Sequence, residues 1–433
     1  MRQHRWRRRV SAAAVATAVV TVVAGCGAGE TGPPNLVWYI NPDSGGQEEI
    51  AARCSQEAGG AYTISISTLP RESSEQRQQL VRRLAANDAS IDLMSLDPPY
   101  IPEFAQAGFL APVPPDVATE STEGVVQSAV EGATWNDELV TVPFWANTQL
   151  LWYKKSVAEA AGLDMTQPVT WDQVVAAAQQ QGTQIAAQGR RAESLVVWLN
   201  ALIESAGGAV ITQNADRPED VQLGLDSPES ARATEIMREV ADSGAVSPAF
   251  TTEGEDEGVA SFEAGDAGFM VNWPFVWPRA TSAVEGGTLD QSVVDDYGWA
   301  IYPQVDAGTP SAPPYGGINI GVGAFSRHPD LAFQAVECIT SDENQAYYFT
   351  SNGNPAASLA VYDDPEVIEA FPMAPVIAQS LQQAVPRPQT AYYSEVSGSL
   401  QRTYHPPTGV DPGTTGPAAA ELIRAVLSGE ELL

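Results

Sequence analysis

Apolar residues along this chain follow two alternating rhythms, short continuous or every-second-residue runs and longer stretches with a helical repeat. Residues 36–40 form a continuous apolar run and residues 62–67 alternate, which predicts strands. Between and after them, 47–57 predicts a helix, and 71–86 predicts a second with Leu80, Val81 and Leu84 on one face. A third strand, 91–96, ends at Asp97. Strand, helix, strand, helix, strand in that order predicts a largely parallel sheet flanked by helices. Ligand sites in such sheets lie beyond the carboxyl ends of the strands, where Asp43 and Asp97 fall.

The middle third is richer in helix. Thr170 with Gln173 three residues on predicts a capping box that opens a helix over 171–181. Ser227, Pro228 and the later Gly244 bracket another. Strand-like runs recur at 148–153, 267–271 and 318–322, a helix is expected over 329–340, and the chain closes on a short helix at 418–427. The stretch 386–417 is dense in Pro, Gly and Tyr, and no internal repeat is visible.

The first residues have a different pattern. Arg2, Arg5, Arg7, Arg8 and Arg9 precede an apolar run, 10–23, that contains no acidic residue, as in an export signal. At ~1.5 Å per helical residue the run reaches roughly 20 Å, short of the ~30 Å hydrocarbon core, so it is expected to be cleaved rather than to span. Val23-Ala24-Gly25-Cys26 resembles a lipobox, which implies a signal peptide over 1–25, lipidation of Cys26 and a tethered linker over 26–34. The plainer alternative is a secreted protein whose cysteine lies near the cut by chance.

Charge narrows the partners. With 54 acidic against 22 basic residues the formal net charge is −32, and five of the arginines lie in the signal. Such a surface repels phosphate backbones and anionic headgroups, which excludes nucleic acid and leaves the lipid as the membrane anchor. A length of 433 residues allows two or three cores at ~100 to 200 residues each. Cys54 and Cys338 remain after Cys26, and in an oxidising compartment two such thiols invite pairing. Neither has a metal-ligand neighbour, and His328 and His405 each precede a proline and read as loop residues. No nucleophile elbow, phosphate loop or zinc helix occurs, so no cofactor is expected and the chain offers no strong catalytic constellation.

Two segments carry the recognition chemistry. Residues 262–275 run from a helix end through a glycine turn and a strand to Trp273 and Phe275. Residues 142–155 read as a crossing strand between two lobes and contain Asn147. Aromatic faces suit the C–H surface of a sugar, and carboxylates and amides suit its hydroxyls. Each of these residues also has a plainer role. An aspartate after a strand often caps a helix, a tryptophan is often core, Arg387 between prolines is by default a solvated charge, and the acidic run 253–257 a solvated face.

F-E-x-G-x-A at 262–267, the crossing strand ending in L-W-Y-K-K, and Gly316-Gly317-Ile318-Asn319-Ile320 resemble the extracellular solute-binding proteins of sugar ABC importers. The runs 79–97, NTQLLWY at 147–153, VNWPFV at 271–276 and GGIN at 316–319 are similar to the trehalose-binding lipoproteins of that family. The resemblance implies an α/β, two-lobe periplasmic-binding-protein fold of the type II flytrap kind with a three-segment hinge. Lobe 1 would comprise 35–145 and 319–355, and lobe 2 146–318 and 356–433. It further implies a Cys54–Cys338 disulfide in the first lobe, a monomer, and a disaccharide, trehalose, passed to an ABC permease with a cytoplasmic ATPase.

Matched onto those motifs, the implied contacts are Asp43, Asp97, Asn147, Glu255, Trp273, Phe275, the Gly317-Ile318 backbone and Arg387. Glu257 is the alternative to Glu255, and a carboxylate such as Glu255 is the expected partner of Arg387. Asp43 and Asp97 are expected in the first lobe, with Glu255, Trp273 and Arg387 in the second. Two rivals stay open: a glycoside hydrolase using Asp43, Asp97 and Glu255, and an adhesin or scaffold lipoprotein with no small ligand.

Overall fold

A computed structural model describes residues 32–433, so the expected signal, lipobox and Cys26 lie outside the described residues. Strands β1 (Asn35–Ile40), β2 (Thr63–Thr68) and β3 (Leu93–Leu96) alternate with helices Gly46–Glu57 and Ser73–Leu84. β1 lies between β2 and β3 and is parallel to both. A small hairpin, β4 (Thr134–Trp135) with β5 (Glu138–Leu139), precedes β6 (Val142–Thr148) and β7 (Leu150–Lys154). The segment expected as one crossing strand is therefore two, broken at Gln149. The buried Gln149 separates residues that pair into different sheets.

β8 (Gln184–Ala186) and the pair β9 (Ile211–Gln213) and β10 (Gln222–Leu223) follow, then β11 (Ala267–Asn272) and β12 (Tyr297–Ala300). β7, β8, β11 and β12 assemble a second sheet in the order β12-β7-β11-β8, while β9 and β10 pair only with each other. β13 (Pro314–Val322) and β14 (Val385–Pro386) return to the first sheet. The carboxyl half of β13 runs antiparallel to β3, while β13 also pairs with β6 and, at Pro314 and Tyr315, with β14. The order there is β14-β13-β3-β1-β2, with β6 on the other side of β13.

Local sequence explains the helix limits. Thr170 accepts from the Gln173 N–H at 3.2 Å while the Gln173 amide oxygen takes the Thr170 N–H at 2.9 Å, the reciprocal cap read from the sequence. Ser227 caps helix Pro228–Asp242 in the same position.

Each sheet has its own aromatic core. Trp38 meets Phe144 edge-on at 5.9 Å and Phe144 stacks on Tyr348 at 5.2 Å beneath the first sheet. Trp171 packs against Trp198 and Tyr302 in the second. A further cluster, with Leu150, Trp152, Met270, Phe349 and Phe371, runs across the junction between them. Trp38, Trp152, Trp171 and Trp198 are fully buried, so these tryptophans serve packing rather than recognition. Cys54 and Cys338 are bonded, with Cα atoms 5.8 Å apart, and tie helix Gly46–Glu57 to helix Pro329–Ile339. Among the described residues no helix is long and apolar enough to cross a membrane.

Candidate ligand-binding cleft

A cavity of about 500 Å³ opens between the two sheets at the carboxyl ends of β1, β3 and β11. All nine side chains and backbone positions expected from the sequence line it: Asp43, Asp97, Asn147, Glu255, Trp273, Phe275, Gly317, Ile318 and Arg387. Residues from widely separated parts of the chain thus meet on one surface.

The first-sheet wall is built on helix caps. Asp43 Oδ1 accepts from the Gly45 N–H at 2.9 Å and Oδ2 from the Gln47 N–H at 2.8 Å, so this carboxylate both lines the cavity and caps the next helix. Gln47 is held in turn by the Asn41 carbonyl and by Ser95, whose hydroxyl receives the Trp38 indole N–H. Gly317 needs the absence of a side chain: its φ is 120°, and a Cβ there would lie 2.2 Å from the Trp145 carbonyl oxygen. Gly316 similarly leaves room for the Trp273 ring, which a Cβ would approach to 3.0 Å.

The second-sheet wall carries the aromatics. β11 ends at Asn272, whose side chain bonds the Glu255 carbonyl at 3.0 Å and the Trp273 N–H at 2.9 Å. The Trp273 indole N–H donates to Glu255 Oε1 at 2.7 Å. Trp273 and Phe275 are half-buried, with part of each ring open to the cavity. The geometry places Glu255 and Glu257 differently. Glu257 takes the Gly254 N–H at 2.9 Å and caps its own helix, leaving Glu255 in the main cavity. Burial pushes the Glu255 carboxyl above the usual carboxylate range, opposed by the indole bond.

Arg387 differs from its expected setting in two respects. Its partner is not Glu255: Nη2 donates to Asp97 Oδ1 at 2.6 Å and Nη1 to Glu193 Oε1 at 2.7 Å. It directly follows β14, which is bonded to β13 of the first sheet, and precedes helix Tyr393–Tyr404, which packs in the second core. It is buried rather than solvated, with a side chain only 6 % exposed. Burial works against its charge, yet Asp97, Tyr393 and Glu193 outweigh that and raise its pKa further. Burial also raises the Asp97 pKa, offset by Arg387 and reinforced by Glu193.

Sequence reasoning missed several lining residues. Trp145, Asn41, Ser73, Gln76, Asn352 and Asn354 also face the cavity, as does Arg71 at the mouth. Trp145 was visible inside the segment 142–155, and its indole N–H is buried without a protein partner. Across the mouth Arg71 pairs with Asp256 at 2.5 Å and Glu72 with Arg190 at 3.7 Å. Glu193 carried no sequence signal.

Residues 41–346 match the family described as Bacterial extracellular solute-binding protein. A probable ABC transporter-binding protein of Deinococcus radiodurans is 24% identical over 353 residues, covering 78% of this chain and 80% of that protein. A probable amino-acid ABC transporter periplasmic-binding protein of Sinorhizobium fredii is 24% identical, covering 78% and 76%. Among solved structures, maltose-bound MalE3 of T. maritima superimposes with a TM-score of 0.77 at 26% identity, over 92% of this chain and all of that one. The GacH receptor of Streptomyces glaucescens, solved unliganded and with acarbose, gives 0.75 at 18%, over 92% and 99%. The two-lobe flytrap architecture is common to this chain and those two structures.

Proposed function

The chain belongs to the bacterial extracellular solute-binding proteins, a family of binding proteins rather than enzymes, and from that premise we propose that it captures a neutral disaccharide, trehalose, for an ABC permease. The observation that carries this is the chemistry of the cavity wall. Aromatic rings of Trp273, Phe275 and Trp145 face amides and carboxylates of Asn147, Asn352, Asp97 and Glu255. Stacking surface and hydroxyl partners are thus available together.

Charge selects against anionic solutes. The cations that line the cleft are Arg71 and Arg387, and both are engaged by carboxylates. An organic acid would therefore bring a carboxylate to a wall with no free cation among the described residues, and with Asp43, Asp97 and Glu255 in excess. The maltose bound to the T. maritima relative is consistent with a disaccharide of this size.

A hydrolytic reading is disfavoured because the family is one of binding proteins and because Asp43 is engaged at both oxygens by backbone N–H groups. Lipid attachment at Cys26, export by residues 1–25 and action as a tethered monomer complete the proposal. Ligand would shift a hinge equilibrium by touching both lobes, since only differential contact with the closed state moves it.

The test is a thermal-shift and calorimetry panel of trehalose, maltose, other disaccharides and amino acids on purified protein. Saturable stabilisation by trehalose without glucose release supports the proposal. Glucose release would return the hydrolase, and silence across the panel the scaffold reading. Mass spectrometry of the membrane fraction should show a diacylated Cys26 as the first residue.

A further inference from the structure

We propose that Glu193, which does not line the main cavity, is the positioning residue that holds Arg387 against Asp97 and so sets the geometry of the sugar site. This rests on the sugar-binding reading above. Glu193 opens helix Glu193–Ser205 on the second-sheet side. One of its oxygens, Oε1, receives Arg387 Nη1 at 2.7 Å and the Tyr393 hydroxyl; the other, Oε2, receives the Ser397 hydroxyl at 2.6 Å. Ser397 is braced by Gln401 at 3.0 Å.

The arrangement has a direction. Arg387 Nη2 occupies Asp97 Oδ1, and Asp97 Oδ2 has no hydrogen-bond partner among the described residues, which leaves that oxygen for a ligand hydroxyl. A guanidinium is planar, so fixing Nη1 on Glu193 fixes the plane in which Nη2 meets Asp97. Tyr393, held by Glu193, packs edge-on against Tyr100 at 5.3 Å, and Tyr100 ends the turn Pro98–Tyr100 that begins just after Asp97. Glu193 thus reaches Asp97 by two routes, one ionic and one through packed rings.

The three charges also join separate parts of the fold. Asp97 follows β3 of the first sheet, Arg387 follows β14, and Glu193 stands on a helix that packs in the second core. Adjoining the cleft, and sharing Arg71, Asp97, Glu255 and Arg387 with it, is a smaller cavity of about 210 Å³ that Glu193 does line, together with Arg190. Glu193 therefore supports the cleft from the adjoining cavity and not from the main one.

Glu193→Gln keeps the shape and an acceptor but removes the charge. Trehalose affinity is expected to fall roughly 10- to 150-fold, the loss typical of a charged hydrogen bond. Tyr393→Phe, which removes one bond and keeps the ring, should lose less in the same direction. A purely structural role would not change the titration of the cleft. The groups facing Asp97 are Arg387, Glu193, Tyr100 and Tyr315, with Glu255, Arg71 and Arg190 on the shared cavity walls. Glu193 raises the Asp97 pKa, so its neutralisation should move the midpoint of the affinity–pH curve to lower pH.

Hydrogen exchange in the unliganded protein reads the same device without any sugar, and faster exchange over 387–393 is expected in Glu193→Gln. Wild-type affinity with an unmoved pH midpoint would overturn the proposal. If no sugar binds even the wild type, the functional reading fails, and exchange alone decides: unchanged protection over 387–393 would then remove Glu193 from this role.

Discussion

Two arginines bring opposite walls of the cleft together, and they do so under opposite conditions. Arg71 meets Asp256 at the mouth with side chains 77% and 47% exposed. Arg387 meets Asp97 and Glu193 on the floor with 6% exposed, against 16% and 14%. The distances are nearly equal, so geometry alone does not rank them. Solvent does. An exposed pair is screened and carries the entropy of two long side chains, whereas removing one member of a buried set strands its partners in a poor dielectric. The floor is therefore expected to govern affinity, and the mouth to adjust encounter and salt response.

The strongest way to break this contrast is Arg387→Ala. Leaving Asp97 and Glu193 buried without their cation should weaken binding of the proposed disaccharide by about 3 kcal/mol or more, over 100-fold, measured by calorimetry. Arg387→Lys keeps the charge without the two-pronged plane and should fall between alanine and wild type. Folded but unaltered binding in both variants would remove the floor from the site.

Next in size are Trp273→Ala and Asp97→Ala, each expected to cost ~1 to 3 kcal/mol of binding, roughly 5- to 150-fold, with the fold intact by circular dichroism. Trp273→Ala also frees Glu255 from its indole bond, so its loss should exceed that of Phe275→Ala.

A gentler perturbation is pH. Burial raises Asp97 and Glu255 above the ordinary carboxylate value of ~4, so in the empty cleft they hold protons to higher pH than exposed acids do. Ligand hydroxyls favour the ionised forms. Affinity should therefore be weak in acid, rise as pH climbs through those raised pKa values, and level off above them. A calorimetric series from about pH 4.5 to 7.5 reads the curve, and a flat profile would separate these carboxylates from binding.

Smallest is Arg71→Ala, with under ~1 kcal/mol expected and most of it lost by raising salt toward 1 M. An Arg71 effect as large as that of Arg387 would erase the distinction between mouth and floor.

Much of the site was legible because its residues are tied to local motifs. Asp43 and Asp97 follow predicted strands, and Trp273 and Phe275 stand at a strand terminus fixed by Pro274. The helix cap proposed as the plain role of Asp43 is real and coexists with its place in the cavity. What local pattern could not supply was partnership. Arg387 was expected beside Glu255, but the 290 residues separating it from Asp97 and the 194 separating it from Glu193 leave no trace in periodicity. Trp145 sits on a strand whose residues are buried throughout, so nothing in its spacing distinguished it from core.

By itself the sequence determined the element order, the acidic surface and the helix caps, since each depends on neighbours a few residues apart. It also marked the residues that end strands, because chain direction places them at one edge of a sheet. Only the tertiary structure decided that the run 142–155 breaks at Gln149 to serve two sheets, and that Glu257 caps while Glu255 lines the cavity. It alone decided that Arg387 is a buried link rather than a solvated charge. The physical reason is the same in each case: burial and ion pairing depend on which distant segments exclude water around a group, and that is a property of packing, not of the local chain.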